Sequence, residues 1–163
     1  MKCTACDLHT VRRKIVKGVG NPDGDILVLC EAPEAVEDAT GRGFISKPAQ
    51  ILFSLFTEAG FDLNRIYFEY MVSCVAKDFK SGETREPSAQ EILACAPHIA
   101  LSSQNKTLVF FCGSVVTKYY KKQFKNHFKI TNLQYLLSQG WKSSDDYWTM
   151  VNKLKEVLHE VSK

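Results

Sequence analysis

DILVLCEAPEAVEDATGRGF, Asp25 to Phe44, decides the architecture: an apolar run, Ile26 to Leu29, stops at a carboxylate, Glu31, followed by Ala32 and Pro33. A short aliphatic, β-branched run bounded by polar residues reads as a buried strand of a parallel sheet. Glu31 then stands at the carboxyl end of that strand. Loops and helix N-termini converge on this edge of an open α/β sheet and ligands bind there, so a carboxylate in this place is a candidate for chemistry as well as a possible solvated loop acid.

Working outward, an acidic turn and a loop with Gly41 and Gly43 follow the strand. Ile51, Leu52, Leu55 and Phe56 recur at helical spacing between Lys47 and Ala59, with Gly60 as the stop. Arg65 to Val72 reads as a second strand and Lys77 to Glu86 as a polar loop. Ser88 with Glu91 three residues on makes a capping-box start for a helix carrying Ile92, Leu93 and Ile99. Thr107 to Phe111 is a third strand, Gly113 opens the next helix, and Phe128 to Ile130 is a weak strand. A loop and an amphipathic helix from Asp145 onward complete the chain. Alternating strands and helices predict a three-layer α/β/α sandwich around a central four-stranded parallel sheet.

The 163 residues fit one domain, 1–163, with an N-terminal cysteine-bearing segment. No apolar run approaches the roughly 20 residues that span a bilayer, and MKCTACDLHTVRRK lacks the apolar stretch of a secretory signal. The expectation is a cytoplasmic monomer with no membrane partner. A net charge of +3 does not by itself demand a nucleic acid. The cations are clustered, however, at Arg12, Arg13, Lys14 and Lys17, and again at Lys118, Lys121, Lys122, Lys125 and Lys129. Such clusters can meet phosphates or form solvated helix faces.

Six cysteines in an intracellular chain point to metal binding, reactivity or plain burial rather than disulfides. Cys30 and Cys112 end apolar strands and read as small buried hydrophobes. Cys3 and Cys6 form a C-x2-C pair in a polar segment, Cys74 follows the second strand, and Cys95 lies in a helix. These four are candidates for one thiolate centre, holding either zinc or an iron–sulfur cluster.

Five motifs then coincide: C-x2-C-x-L at Cys3 to Leu8, G-x-G-N-P-x-x-D-I at Gly18 to Ile26, E-A-P-x-x-x-E-D at Glu31 to Asp38, G-x-x-F at Gly41 to Phe44, and P-x-x-x-E-I-x-A-C at Pro87 to Cys95. Together they resemble the iron–sulfur uracil-DNA glycosylases, often called family 4, over nearly the whole chain. The resemblance implies a [4Fe-4S] cluster on Cys3, Cys6, Cys74 and Cys95, with zinc as the alternative, and DNA, single- or double-stranded, as the partner. It implies hydrolysis of the bond between a base and its deoxyribose. Glu31 takes the role of water-orienting acid and Phe44 that of the aromatic under the flipped base. Ala32, Pro33 and Glu34 border that base. Ser46, Lys47, Gly113 and Ser114 are placed to hold the flanking phosphates. KDFKSGETR, before Cys95, is a small insertion in an exposed loop.

Four positions depart from the family pattern, the first being Cys30, which precedes Glu31 where the family has glycine. Glu34 stands where the family has glycine, bringing charge and bulk beside a polyanion. Tyr70 replaces the asparagine that pairs with the uracil edge, so one phenol stands in for a bidentate amide. Asn132 replaces the histidine that donates to the departing base; His127 is a more distant substitute. The expectation is a DNA glycosylase for a modified pyrimidine rather than plain uracil, with a possible role against phage DNA carrying modified bases. A weak or broadened uracil-DNA glycosylase and an inactive DNA-binding or inhibitor protein are the alternatives.

Overall fold

The computed structural model describes residues 3–162. Its sheet has five strands: β1 (Val19–Gly20), β2 (Ile26–Cys30), β3 (Ile66–Tyr70), β4 (Leu108–Cys112) and β5 (His127–Ile130), in the order β1-β3-β2-β4-β5. The expected four parallel strands are present as β3-β2-β4-β5. The fifth, β1, corrects the count: it lies antiparallel to β3, with Val19 opposite Phe68. Two residues carry no periodicity, so only the tertiary pairing identifies this strand.

β2 and β4 are buried at all five positions, as central strands covered on both faces require. Side chains alternate between the faces with period two. Ile26, Val28 and Cys30 face one layer, built from α2 (Lys47–Ala59), α5 (Leu133–Ser138) and α6 (Asp145–Val161). Leu27 and Leu29 face the other, built from α3 (Ala89–Ser102) and α4 (Ser114–Tyr120).

The α2 helix has the bounds its spacing predicts. Pro48 sits in its first turn, and Gly60, at φ 87°, closes it as a left-handed C-cap. Ile51, Leu52, Leu55 and Phe56 are fully buried against the sheet. Phe56 meets Phe61, Phe68 and Phe110 edge to face, with ring centroids 5.0–5.9 Å apart. Truncating it to alanine costs about 3–5 kcal/mol. The amphipathic α6 buries Tyr147, Met150, Val151, Leu154 and Val157 at helical spacing in the same layer. α3 starts as read, with Ser88 Oγ accepting from the Glu91 amide and Glu91 accepting from the Ser88 amide.

Three segments read as turn or loop have more structure. The acidic turn is a helix, α1 (Ala35–Thr40), and the stretch after β5 contains α5; both are six residues long, too short for an apolar period to register. The polar loop is a hairpin closed by a Lys77–Thr84 bridge. It is anchored by Arg85, whose guanidinium makes a two-pronged contact with Glu91 at 2.6 and 2.9 Å, and by Lys77, which meets Asp38 at 3.1 Å. KDFKSGETR is therefore a tethered element. No helix is long and apolar enough to cross a membrane among the described residues.

Candidate active site

At the carboxyl edge of the sheet, Tyr70 and Cys30 are in register across β3 and β2, as are Cys112 and Ile130 across β4 and β5. All four turn toward the α2 layer. Above them opens a cleft of about 480 Å³. One wall runs from Glu31 through Ala32, Pro33 and Glu34, while the other carries Gly113 and Asn132. Phe44, Ser46 and Tyr70 line its inner part. The sequence-predicted residues thus converge, with two qualifications. Lys47 and Ser114 open α2 and α4 beside the cleft and are exposed, without lining it. His127 lies at the opposite end of its strand, paired with Val109 and packed on Phe111 at 5.1 Å, and so is outside the site.

Glu31 is half-buried. Its main chain is held by β3's continuation, where the Val72 amide donates to the Glu31 carbonyl at 3.1 Å. Burial first, and the negative charge of Glu86 second, push its carboxyl above the ordinary carboxylate value of 4.5. No hydrogen-bond donor among the described residues opposes that shift. The result is an acid presented to the cleft without a protein partner, a group able to orient water or face a developing cation.

Glu34, costly beside a polyanion if left open, meets a donor from its own chain. Its Oε1 accepts from Gln134 Nε2 at 2.7 Å, linking the first wall to α5. Asn132 caps α5, Oδ1 accepting from the amides of Gln134 and Tyr135 at 2.9 and 3.2 Å. That role identifies the carbonyl end of the side chain and leaves Nδ2 as its free donor.

The sequence reading gave no role to Glu37, yet it organises the inner cleft. Only 1% exposed, its carboxylate accepts from the amides of Glu34 at 2.8 Å, Ile45 at 2.9 Å and Ser46 at 3.2 Å. The next residue, Asp38, binds the amides of Arg13 and Lys14 and the Lys77 ammonium. The E-D pair of the E-A-P-x-x-x-E-D motif is thus the brace of the loop; the signal was a carboxylate three residues after the α1 N-cap. Gly43 is required in that loop because a Cβ there collides with the Lys17 carbonyl. Glu86 and Arg85, from the hairpin's root, were missed for the same reason as the hairpin: nothing local shows that they border the cleft.

Phe44 has φ 55°, a left-handed conformation uncommon for a bulky residue. Three successive amides hold it there: its own donates to the Tyr70 hydroxyl at 2.8 Å, and those of Ile45 and Ser46 to Glu37. Its ring stacks on Tyr70 with centroids 4.2 Å apart and planes 16° from parallel.

The two cysteines read as structural are buried, and they also meet at the cleft floor. A hydrogen bond with Cys112, and then burial, push the Cys30 thiol well up.

The other four lie on the opposite face of the sheet, where Cys6, Cys74 and Cys95 join the α3–α4 core. Burial pushes the Cys74 thiol up to about 11, opposed by Arg12 and reinforced by Cys95 and Cys6. Cys95 is raised by burial and further by Cys6 and Cys3. Cys74 and Cys95 thus each lie near Cys6, and Cys95 lies near Cys3 as well. Arg12 ties two of their segments together, donating to Cys74 Sγ at 3.7 Å and to the Cys3 carbonyl at 2.6 Å. Among the described residues, no three His, Cys, Asp or Glu side chains are close enough together to hold a metal ion, so the thiols are neighbours rather than a closed ligand shell. In kind they fit a thiolate-bound centre: the donors are all sulfur, and beside Cys95 the buried Tyr120 hydroxyl lacks a hydrogen-bond partner among the described residues.

Residues 17–155 match the profile described as the Uracil DNA glycosylase superfamily. The chain is 36% identical over 94 residues to the Type-4 uracil-DNA glycosylase of Thermotoga maritima, covering 58% of this chain and 46% of that protein. It is 29% identical over 125 residues to the Type-4 uracil-DNA glycosylase of Saccharolobus solfataricus, covering 75% and 56%. It is 27% identical over 138 residues to that of Sulfurisphaera tokodaii, covering 82% and 60%. The chain spans about half the length of the curated relatives it matches. Since the matched profile runs through every strand of the sheet and both walls of the cleft, this chain belongs to the Uracil DNA glycosylase superfamily.

Proposed function

We propose that the protein is a DNA glycosylase that hydrolyses the N-glycosidic bond of a flipped-out base, and that its substrate is a modified pyrimidine. The observation that carries this reading is Glu31: a half-buried carboxylate with a raised pKa and no protein partner among the described residues, at the edge of the sheet where α/β proteins bind ligands. A base in a duplex hides the bond to be broken, so the nucleotide must be extruded into a cleft. As the base departs, the sugar gains oxocarbenium character. The Glu31 carboxylate stabilises that charge and orients the attacking water. Asn132 Nδ2 donates to the base as negative charge grows on it. Ser46, Lys47, Gly113 and Ser114 hold the phosphates on either side.

Cys3, Cys6, Cys74 and Cys95 are the residues that would hold a [4Fe-4S] cluster, with zinc as the alternative. When bound, it would supply a covalent tie between the N-terminal segment, the turn after β3 and α3. A visible absorbance band in freshly purified protein supports iron; a colourless, zinc-containing protein overturns it.

Plain uracil is disfavoured because Tyr70 cannot form the paired hydrogen bonds of an amide, a loss worth roughly 1–3 kcal/mol. The relatives' names favour a second reading, a weak uracil-DNA glycosylase. A modified-base substrate suits defence against phage DNA. The test is an abasic-site assay on oligonucleotides carrying uracil, 5-hydroxymethyluracil, 5-hydroxymethylcytosine or glucosylated cytosine. Preferential excision of a modified base is expected; preferential excision of uracil selects the second reading. Retained DNA binding with no product from any base overturns both.

A further inference from the structure

We infer that Tyr70 is a specificity-determining residue that works by occupation: its phenol ring takes the stacking place on Phe44, and this closes the inner cleft to an unsubstituted pyrimidine. The inference deepens the glycosylase reading and rests on it for the identity of the ligand.

Tyr70 and Phe44 are only 3% and 5% exposed. The phenol lies nearly flat on the Phe44 ring, with centroids 4.2 Å apart and planes 16° from parallel. Two further aromatic neighbours of that ring, Phe53 and Phe68, meet it tilted by 58° and 55°, with centroids 6.4 and 5.8 Å away. Among these neighbours only Tyr70 stacks in parallel. The contact is also polar, since the Phe44 amide donates to the Tyr70 hydroxyl at 2.8 Å. A six-membered ring flat on Phe44, with an edge oxygen accepting a main-chain N–H, reproduces what a pyrimidine and its carbonyl would do in this place. The protein makes both contacts with its own side chain.

This arrangement is braced. Tyr70 is in register with Cys30 at the end of β3, so its backbone cannot move without breaking sheet pairing. The next two amides after Phe44 are held by the buried Glu37 carboxylate. A base entering the cleft must therefore be recognised farther out, between Glu31 and the bridge from Glu34 to Gln134. There Glu31, Glu34, Asn132 and Gln134 lie beside Ala32 and Pro33, and Arg85 and Glu86 of the hairpin border the cleft. Loss of uracil recognition then arises from exclusion as well as from a missing amide.

The test is a binding measurement that needs no cleavage. A single-stranded oligonucleotide containing one non-hydrolysable 2′-fluoro-deoxyuridine is compared with the same strand carrying an abasic analogue at that position. Wild type should bind the two equally, and Tyr70→Ala should prefer the uracil strand by at least tenfold, while Tyr70→Phe, which keeps the ring, should behave as wild type. Tyr70→Asn should gain uracil excision in the abasic-site assay. A wild-type preference of tenfold or more for the uracil strand overturns the inference, whether or not any variant folds. So does a folded Tyr70→Ala without that preference, or a Tyr70→Phe that gains as much as Tyr70→Ala. Failure of the base panel alone would remove the proposed reaction and leave the binding result standing.

Discussion

The cleft and the four-thiol site lie on opposite faces of one sheet and are stabilised in opposite ways. In the cleft, buried carboxylates are matched to main-chain amides: Glu37 takes three, and Asp38 takes two plus the Lys77 ammonium. In the thiol site, burial and neighbouring thiols push Cys74 and Cys95 upward, and the Arg12 guanidinium is the opposing cation at Cys74. One region is built by complementarity within the chain, the other from like groups that a shared cation would reconcile. The proposed division of labour matches this difference, with hydrolysis assigned to the braced face and cross-linking to the face that gathers thiols.

Five substitutions can break or sharpen that contrast. The largest effect is expected from Cys74→Ala, which should abolish visible absorbance and lower unfolding free energy by more than about 4 kcal/mol, as loss of a structural metal does; an unchanged denaturant midpoint and spectrum would remove the thiol site from the account. Glu31→Gln should do the reverse, reducing single-turnover excision by about 10³-fold, within the range of a lost general base, while leaving the spectrum intact and the melting temperature no lower. Glu37→Ala should cost about 3 kcal/mol, because it strands buried amides, and should make the Phe44 loop sensitive to proteolysis. A variant as stable as wild type would show that the brace is dispensable. Asn132→Asp keeps the oxygen that caps α5 but loses the Nδ2 donor, so excision should fall by about 10²-fold with thermal stability retained; falling stability instead would assign Asn132 to capping alone.

The smallest effect concerns pH. In the proposed mechanism Glu31 acts ionised, and its folded-state pKa is raised by burial and by Glu86. Activity should therefore fall as pH drops through a value above 4.5, and Glu86→Gln should move that acid limb downward, by less than burial has raised it. For stability the sign is opposite to that of a salt-bridged acid. A raised folded-state pKa means the folded chain holds the proton more tightly, so stability is lost as pH rises from 4.5 through the raised value. Glu31→Gln should flatten that slope; an unchanged slope would show that Glu31 is not the group responsible.

Much of this contrast is legible in the chain. The four parallel strands, the bounds of α2 and the capped start of α3 follow from apolar period and end signals, because long buried elements repeat their pattern. Glu31 is placed at this edge by the rule that strand ends converge, whereas Glu34, Asn132 and Gly113 are brought to it by the resemblance, and all four line one cleft. The resemblance, rather than the pattern of apolar residues, singled out Phe44 and Tyr70. Local sequence could not reveal β1, α1, α5 or the hairpin, each too short to carry a period and each held by partners distant in the chain.

By itself, then, the sequence determined a parallel α/β sandwich with a carboxylate at its functional edge and four cysteines set apart from two buried ones. Only the tertiary structure decided that Glu34 is bridged to Gln134, that Glu37 braces the loop and that Tyr70 lies flat on Phe44. The reason is physical: which face a side chain takes is written in a period of a few residues, whereas a contact between positions 26 or 100 residues apart depends on how the layers stack.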